Sequence, residues 1–214
     1  MPNGYFGIKN ALPVKNAILA NEDFVYFDHS YYKRGWNNHH FRAVRNGLHL
    51  TKLLDKPDDR MKKFGVVVEP WRKTGTEIVI IPPSGAQIAV YDCDDWVIQV
   101  ERTLQEVTQR PFTVKTSKAQ SMRDYCRDAW AVVTFASVAG VEASLMGIPV
   151  FSTDKCPSWP VNAGPLEKID FPEYVDFREK WAAGLAYASW HSDDIDYVKW
   201  DDYNYEYNNE KRAA

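Results

Sequence analysis

Three short segments concentrate the residue types that hold phosphate groups: IPPSGAQ (81–87), VKTSK (114–118) and FASVAGVEA (135–143). Each is rich in small residues, hydroxyls or lysine. Ser84, Gly85, Lys115, Ser117, Lys118, Ser137, Val138, Ala139 and Gly140 can present backbone N–H groups and positive charge to an anion where a helix begins. The same composition also serves ordinary tight turns. In the third segment Glu142 falls within the first turns of the following helix. A carboxylate there can accept two ribose hydroxyls while the helix start faces a diphosphate.

A second constellation lies at 28–46. Asp28 and His29 end an apolar run, and either can take a proton from an acceptor hydroxyl. Arg34, His39, His40, Arg42 and Arg45 supply positive charge to offset a leaving diphosphate or meet a nucleic-acid phosphate. Tyr31, Tyr32 and Trp36 offer rings that can stack on a base or a sugar. The segment equally suits a surface loop whose Asp28 caps a turn and whose rings pack on the core.

Other chemistries have no matching pattern. His29, His39, His40 and His49 with Asp28 match no tetrahedral spacing, and HExxH does not occur, so no metal is expected. Neither GxSxG nor GxxxxGK[ST] is present, which argues against a serine hydrolase and a P-loop ATPase. Cys93, Cys126 and Cys156 are odd in number and form no CxxC pair, so a reduced, cytoplasmic setting is expected.

The elements that must position these residues are legible in the apolar pattern. Residues 11–20 read as a short helix, and FVYFD (24–28), FRAVRNGLHL (41–50) and FGVVVEPW (64–71) as strands. From 76 the order becomes regular: strand 76–83, a loop, helix 95–109 capped by Asp94 or Asp95, and strand 110–116. Helix 117–129, strand 130–137, helix 138–147 ending at Gly147, and strand 148–153 follow. Strands apolar on both faces, alternating with helices, predict an α/β fold with a doubly wound, mainly parallel sheet. Ligands bind such sheets outside the carboxyl ends of the strands, where the three loops lie. A helix at 176–191 and a polar, Tyr-rich tail complete the chain. The organisation expected is a reduced N-terminal, acceptor-side region (1–75), a nucleotide-binding unit (76–155), a loop and helix packing back (156–192) and the tail (193–214).

The 214 residues suffice for one α/β domain with its own core. A net charge of -3 argues against a protein that coats nucleic acid by bulk charge, though not against a local basic groove. No apolar run approaches the roughly 20 residues that span a bilayer. No basic region followed by an apolar stretch opens the chain, so neither a membrane partner nor a secretory leader is expected. The aromatic share, 14%, is high, and its Trp and Tyr suit stacking on flat ligands as well as packing in a core.

The segment TFASVAGVEASLMGIPVFS (134–152) resembles the nucleotide-binding signature of GT-B glycosyltransferases: a Ser, small residues, Glu-Ala, a short apolar run, and Gly-x-Pro-Val. Ser137, Glu142, Ala143, Gly147, Pro149 and Val150 match in order. The resemblance covers about residues 76–153 and implies a Rossmann-like half in which Ser137 meets the phosphates of a sugar nucleotide and Glu142 holds the ribose. It implies no bound metal and no cofactor beyond the donor substrate. More loosely, the whole chain resembles glycosyltransferase-like proteins of bacteriophages, through FVYFDHSYYKRG, FRAVRNGLH, EIVIIPPS, RPFTVKTSK and LAYASWHSDDI. That likeness implies sugar transfer to a hydroxyl acceptor, such as a modified DNA base or a glycan, in the host cytoplasm. The short first half also fits a binding module that keeps the nucleotide site without turnover. Donor, acceptor and oligomeric state stay open.

Overall fold

The computed structural model describes residues 3–7, 11–34, 36–116 and 120–193. Two four-stranded sheets share the chain. The first begins with Asn3–Phe6 (β1), which the sequence reading missed, and the helix Ala11–Leu19 (α1). Phe24–His29 (β2) follows, parallel to β1, and His40–Arg45 (β3) runs antiparallel to β2. Residues 24–27 of β2 are all buried because both faces are covered. Phe24 and Tyr26 pack on the α1 side with Val14, Ala17 and Val90, and Val25 and Phe27 pack on the other with Ala43 and Trp190. That alternation is the two-residue period of a strand.

The short helix Asp59–Lys63 (α2) precedes the second sheet. Glu77–Ile81 (β4), Phe112–Val114 (β5), Ala129–Thr134 (β6) and Val150–Ser152 (β7) are all parallel, in the order β5-β4-β6-β7. Helices Gly85–Tyr91 (α3), Trp96–Val107 (α4), Met122–Tyr125 (α5) and Ala139–Leu145 (α6) connect them. The α/β class and the parallel sheet from 76 to 153 are present as expected. Arg178–Tyr187 (α7) then returns across the molecule, and Ser189–His191 (β8) joins the first sheet antiparallel to β3, giving the order β1-β2-β3-β8.

Four local expectations are corrected. Residues 64–71 do not form a strand: Pro70 lacks an N–H, Phe64, Gly65 and Val66 donate back to carbonyls of α2, and Glu69 N, like Arg72 N just beyond, makes a single bond to the α6 end, to Leu145 O at 2.8 Å and Gly147 O at 2.7 Å respectively. The loop after β4 is a helix, α3, closed by a Ser84–Gln87 capping box. Within 117–129 the described helix is only the four residues of α5, capped by Ser121, and 117–119 lie outside the described residues. The helix expected over 176–191 stops at Tyr187, because residues 189–191 find an open edge at β3.

The core is not divided at residue 75. One buried cluster joins Tyr31, Tyr32, Val44 and Leu50 of the first half to Val138, Val141 and Val161 of the second, around Trp181 and Leu185 of α7. The N-terminal region and the parallel sheet therefore stand in fixed relation, with α7 packed between them.

Candidate functional site

The strand order creates an opening. The chain leaves β4 toward β5 on one side and comes back to β6 on the other. The loops after β4 and β6 diverge there, which is where open α/β sheets bind ligands. Ser84 and Gly85 follow β4 and are exposed, and Ser137 follows β6 and is half-buried. Buried Gln87 ties the two loops together. Its Nε2 donates to Ala136 O at 2.6 Å, and its Oε1 accepts from Ser84 N at 2.8 Å. Its own N–H donates to Ser84 Oγ at 3.3 Å. Thr134 Oγ1 adds a second tie by donating to Ile81 O at 3.2 Å.

Around this opening the expected phosphate loops behave differently from one another. Ser137 Oγ accepts from Ala139 N at 3.1 Å, so it organises the turn into α6. The Val138 side chain is buried in the shared core and half-buried Ala139 packs against the cluster under α6. Gly140 is buried, and a Cβ there would lie 2.7 Å from Ser158 Oγ. Glycine at 140 lets α6 approach the 156–158 turn, and its N–H donates to Ser137 O at 3.0 Å. Lys115 lies beyond β5, on the far side of β4 from the β6 loop, with Nζ over the Tyr125 ring at 4.4 Å. Ser117 and Lys118 lie outside the described residues.

Glu142 stands half-exposed in the first turn of α6 and pairs with Arg34, whose Nη1 donates to Oε1 at 3.2 Å. Arg34 belongs to the loop after β2. Two segments that the sequence offered as separate donor and acceptor regions therefore meet side by side.

The acceptor-side residues divide into exposed and structural groups. Register places Asp28 directly across from Arg42. Asp28 Oδ2 accepts from Arg42 Nη2 at 3.0 Å and from Tyr26 Oη at 3.1 Å, and Oδ1 accepts from His29 N at 2.7 Å. Arg42 is buried and also donates to Leu48 O at 3.0 Å and to His29 O at 2.5 Å. It is a cross-strand brace, not an acceptor contact. Tyr31 and Tyr32 are likewise corrected from stacking platforms to core residues. The Tyr31 hydroxyl accepts from Leu50 N at 2.7 Å and the Tyr32 hydroxyl donates to Ala182 O at 2.8 Å. Burial pushes the Tyr31 phenol up to about 12, against the opposing pull of the Arg42 charge. His39 is exposed, 6.2 Å ring to ring from His191, and half-buried His29 sits at the end of β2. Trp36 opens a 3-10 turn, and its side chain lies outside the described residues.

His49 joins the site without having been singled out for it. It is 6% exposed and its Nδ1 makes no hydrogen bond. Burial, then the charges of Arg42 and Arg34, hold its imidazole neutral well below the ordinary histidine range, and a bond to the Ala136 backbone pulls weakly the other way. The segment LHL carries no local signal for this, since Ala136 lies far along the chain and Arg34 and Arg42 reach His49 only through the fold of the first sheet.

Beside the opening, an apolar recess of about 650 Å³ runs along the end of β7, between Trp96, Phe151 and Trp159. The Trp96 ring meets Phe135 of the β6 loop at 5.9 Å. Among the described residues no group of three or more His, Cys, Asp or Glu side chains suits a metal ion, and no helix is long and apolar enough to cross a membrane. A scan against protein-family models finds no match to this chain, and a search of curated proteins finds none either.

Proposed function

We propose that the chain binds a sugar nucleotide at the carboxyl ends of β4 and β6 and transfers the sugar to a hydroxyl acceptor, such as a modified DNA base. The observation that carries this reading is the pairing of Arg34 with Glu142 across the switch-point opening. The exposed Ser84–Gly85 turn and the Ser137 hydroxyl, at the ends of β4 and β6, receive the diphosphate. Glu142 takes the ribose hydroxyls, and Arg34 moves from the carboxylate to the leaving diphosphate, whose charge it offsets. The apolar recess between Trp96 and Trp159 has room for a base or a sugar ring. Asp28 or His29 takes the proton of the acceptor hydroxyl. The GT-B resemblance accounts for the absence of a metal from this scheme, and the likeness to bacteriophage proteins suggests DNA modification in a host cytoplasm.

One observation favours a second reading. The Asp28 carboxylate already accepts three hydrogen bonds, one from a buried arginine, so both of its oxygens are engaged within the first sheet rather than with an acceptor hydroxyl. A module that binds the nucleotide without turnover needs only the β4–β6 opening.

A panel of nucleoside diphosphates and their sugar conjugates, read by thermal denaturation, tests both. A ligand at about 100 times its Kd adds about 2.7 kcal/mol of stability. Glu142→Ala is expected to abolish the shift while leaving the unliganded midpoint nearly unchanged, since an exposed ion pair contributes about 0–1 kcal/mol. Release of free nucleoside diphosphate on adding an acceptor supports the transferase, and a shift without release supports the module. No shift with any nucleotide removes both.

A further inference from the structure

A second recess, charged and of about 610 Å³, opens beside the loop that carries Arg34. Its floor is the end of the first sheet, where His40 of β3 faces His191 of β8 as a cross-strand pair with rings 4.9 Å apart. Its walls are α2 and the loop after β2. Lys33 enters from that loop, with Nζ 5.8 Å above the Phe64 ring, and Arg60 and Lys63 enter from α2.

The charges within the recess are not balanced. Lys33, Arg60 and Lys63 carry three fixed positive charges, against the carboxylates of Asp59 and Asp193. Asp59 is already engaged, accepting from the Tyr187 hydroxyl at 2.7 Å. Asp193 lies against His191, with Oδ2 3.4 Å from Nδ1. Among the described residues neither Lys33 nor Lys63 has a carboxylate partner. Arg60 is held in place, with one Nη donating to Ser189 O at 2.6 Å and its guanidinium 4.3 Å from the Trp190 ring centroid. A fixed guanidinium keeps further N–H donors available without the entropy loss of ordering a free side chain.

Of the two histidines, only His191 adds a donor to the recess in its neutral form. His40 Nδ1 faces the Asn38 carbonyl, which can only accept, so that nitrogen carries the proton in the neutral ring. His191 Nδ1 receives the Asp193 N–H at 3.3 Å, so in the neutral ring its proton resides on Nε2. Three cations, the His191 Nε2–H and a partly aromatic wall in one recess form a receptor for a compact dianion.

We propose that this recess binds a phosphate monoester on a small molecule, held by Lys33, Arg60 and Lys63 and by His191, with His40 packed beside it. The proposal does not rest on the sugar-nucleotide reading, since no residue of the recess belongs to the β4–β6 opening. One loop borders both sites, through Arg34 on one side and Lys33 on the other.

The test is phosphorus NMR titration of the full chain with ribose 5-phosphate and, separately, inorganic phosphate, with ribose as the control in thermal denaturation. The Lys33→Gln/Lys63→Gln double variant and Glu142→Ala are measured beside the parent. Both lysines are exposed, and their replacement is expected to leave the fold intact. The expected result is binding of ribose 5-phosphate but not ribose, weakened about tenfold in the double variant and unchanged in Glu142→Ala. Equal binding of inorganic phosphate means that the phosphate alone is recognised, and weaker binding means that the recess also holds the organic part; both support the site. No broadening with either phosphate, or equal binding by the double variant, overturns it. Binding of a DNA duplex through the same lysines without either small phosphate also overturns it, because the recess would then serve a nucleic-acid backbone.

Discussion

Burial beside two arginines keeps the His49 imidazole neutral in the folded chain, whereas in the unfolded chain it titrates near 6.5. Below that value the unfolded state binds a proton that the folded state refuses, so folding loses stability as pH falls. The slope contributed is at most about 1.4 kcal/mol per pH unit. Stability is therefore fully present above about pH 6.5 and declines toward the lower folded value. Denaturant titrations from pH 8 to pH 5 are expected to show a shallower decline in His49→Gln than in the parent. An unchanged slope would place the lost stability on other groups. At this scale the sequence identified residue types well and partners poorly. Asp28 and Arg42 were both singled out for chemistry, but only the β2–β3 register shows that they brace each other. Tyr31 and Tyr32 occupy a polar segment, yet each ring enters the core because its hydroxyl finds a backbone partner there.

At the scale of elements, Gly147 links what was legible to what was not. A glycine after the α6 pattern marks a helix end, and its φ of 74° is the left-handed conformation that such an end requires. The sequence did not reveal its neighbour: a Cβ at 147 would sit 2.0 Å from Pro70 O. Gly147→Ala is expected to cost about 2–4 kcal/mol, more than the conformational penalty alone, because backbone must move. A urea midpoint lowered by no more than a few tenths molar would show that the 64–72 segment yields easily. The α3 helix was missed because seven residues are too few for an apolar period, although the capping residues Ser84 and Gln87 stand three apart in the sequence. For β8, local pattern favours continuing the helix, and a vacant strand edge overrides it.

Across the whole molecule, α7 couples the two sheets. Trp181 is 1% exposed, donates its indole N–H to Pro157 O at 2.9 Å, and lies in the cluster that joins both halves. Cooperative unfolding of both sheets follows from that shared core. Trp181→Ala is expected to destabilise the chain by about 3–5 kcal/mol and to lower the transition of both sheets together. Hydrogen exchange of amides in β2 and in β6, followed through denaturant, reads the two sheets separately. Separate transitions would mean that residues 1–75 form an independent unit. A net charge of -3 likewise hides a local feature, the basic recess at Lys33, Arg60 and Lys63.

The sequence by itself determined the alternation of strands and helices from 76 to 153, hence a parallel sheet with its loops at one end, because burial on both faces demands continuous apolar runs. It also marked Ser84, Ser137 and Glu142 by their places at strand ends. Only the tertiary structure decided the strand order β5-β4-β6-β7, the passage of the chain's last described strand into the first sheet, and the meeting of Arg34 with Glu142. Apolar periodicity reports which faces are buried, but which face meets which depends on contacts between residues far apart in the chain.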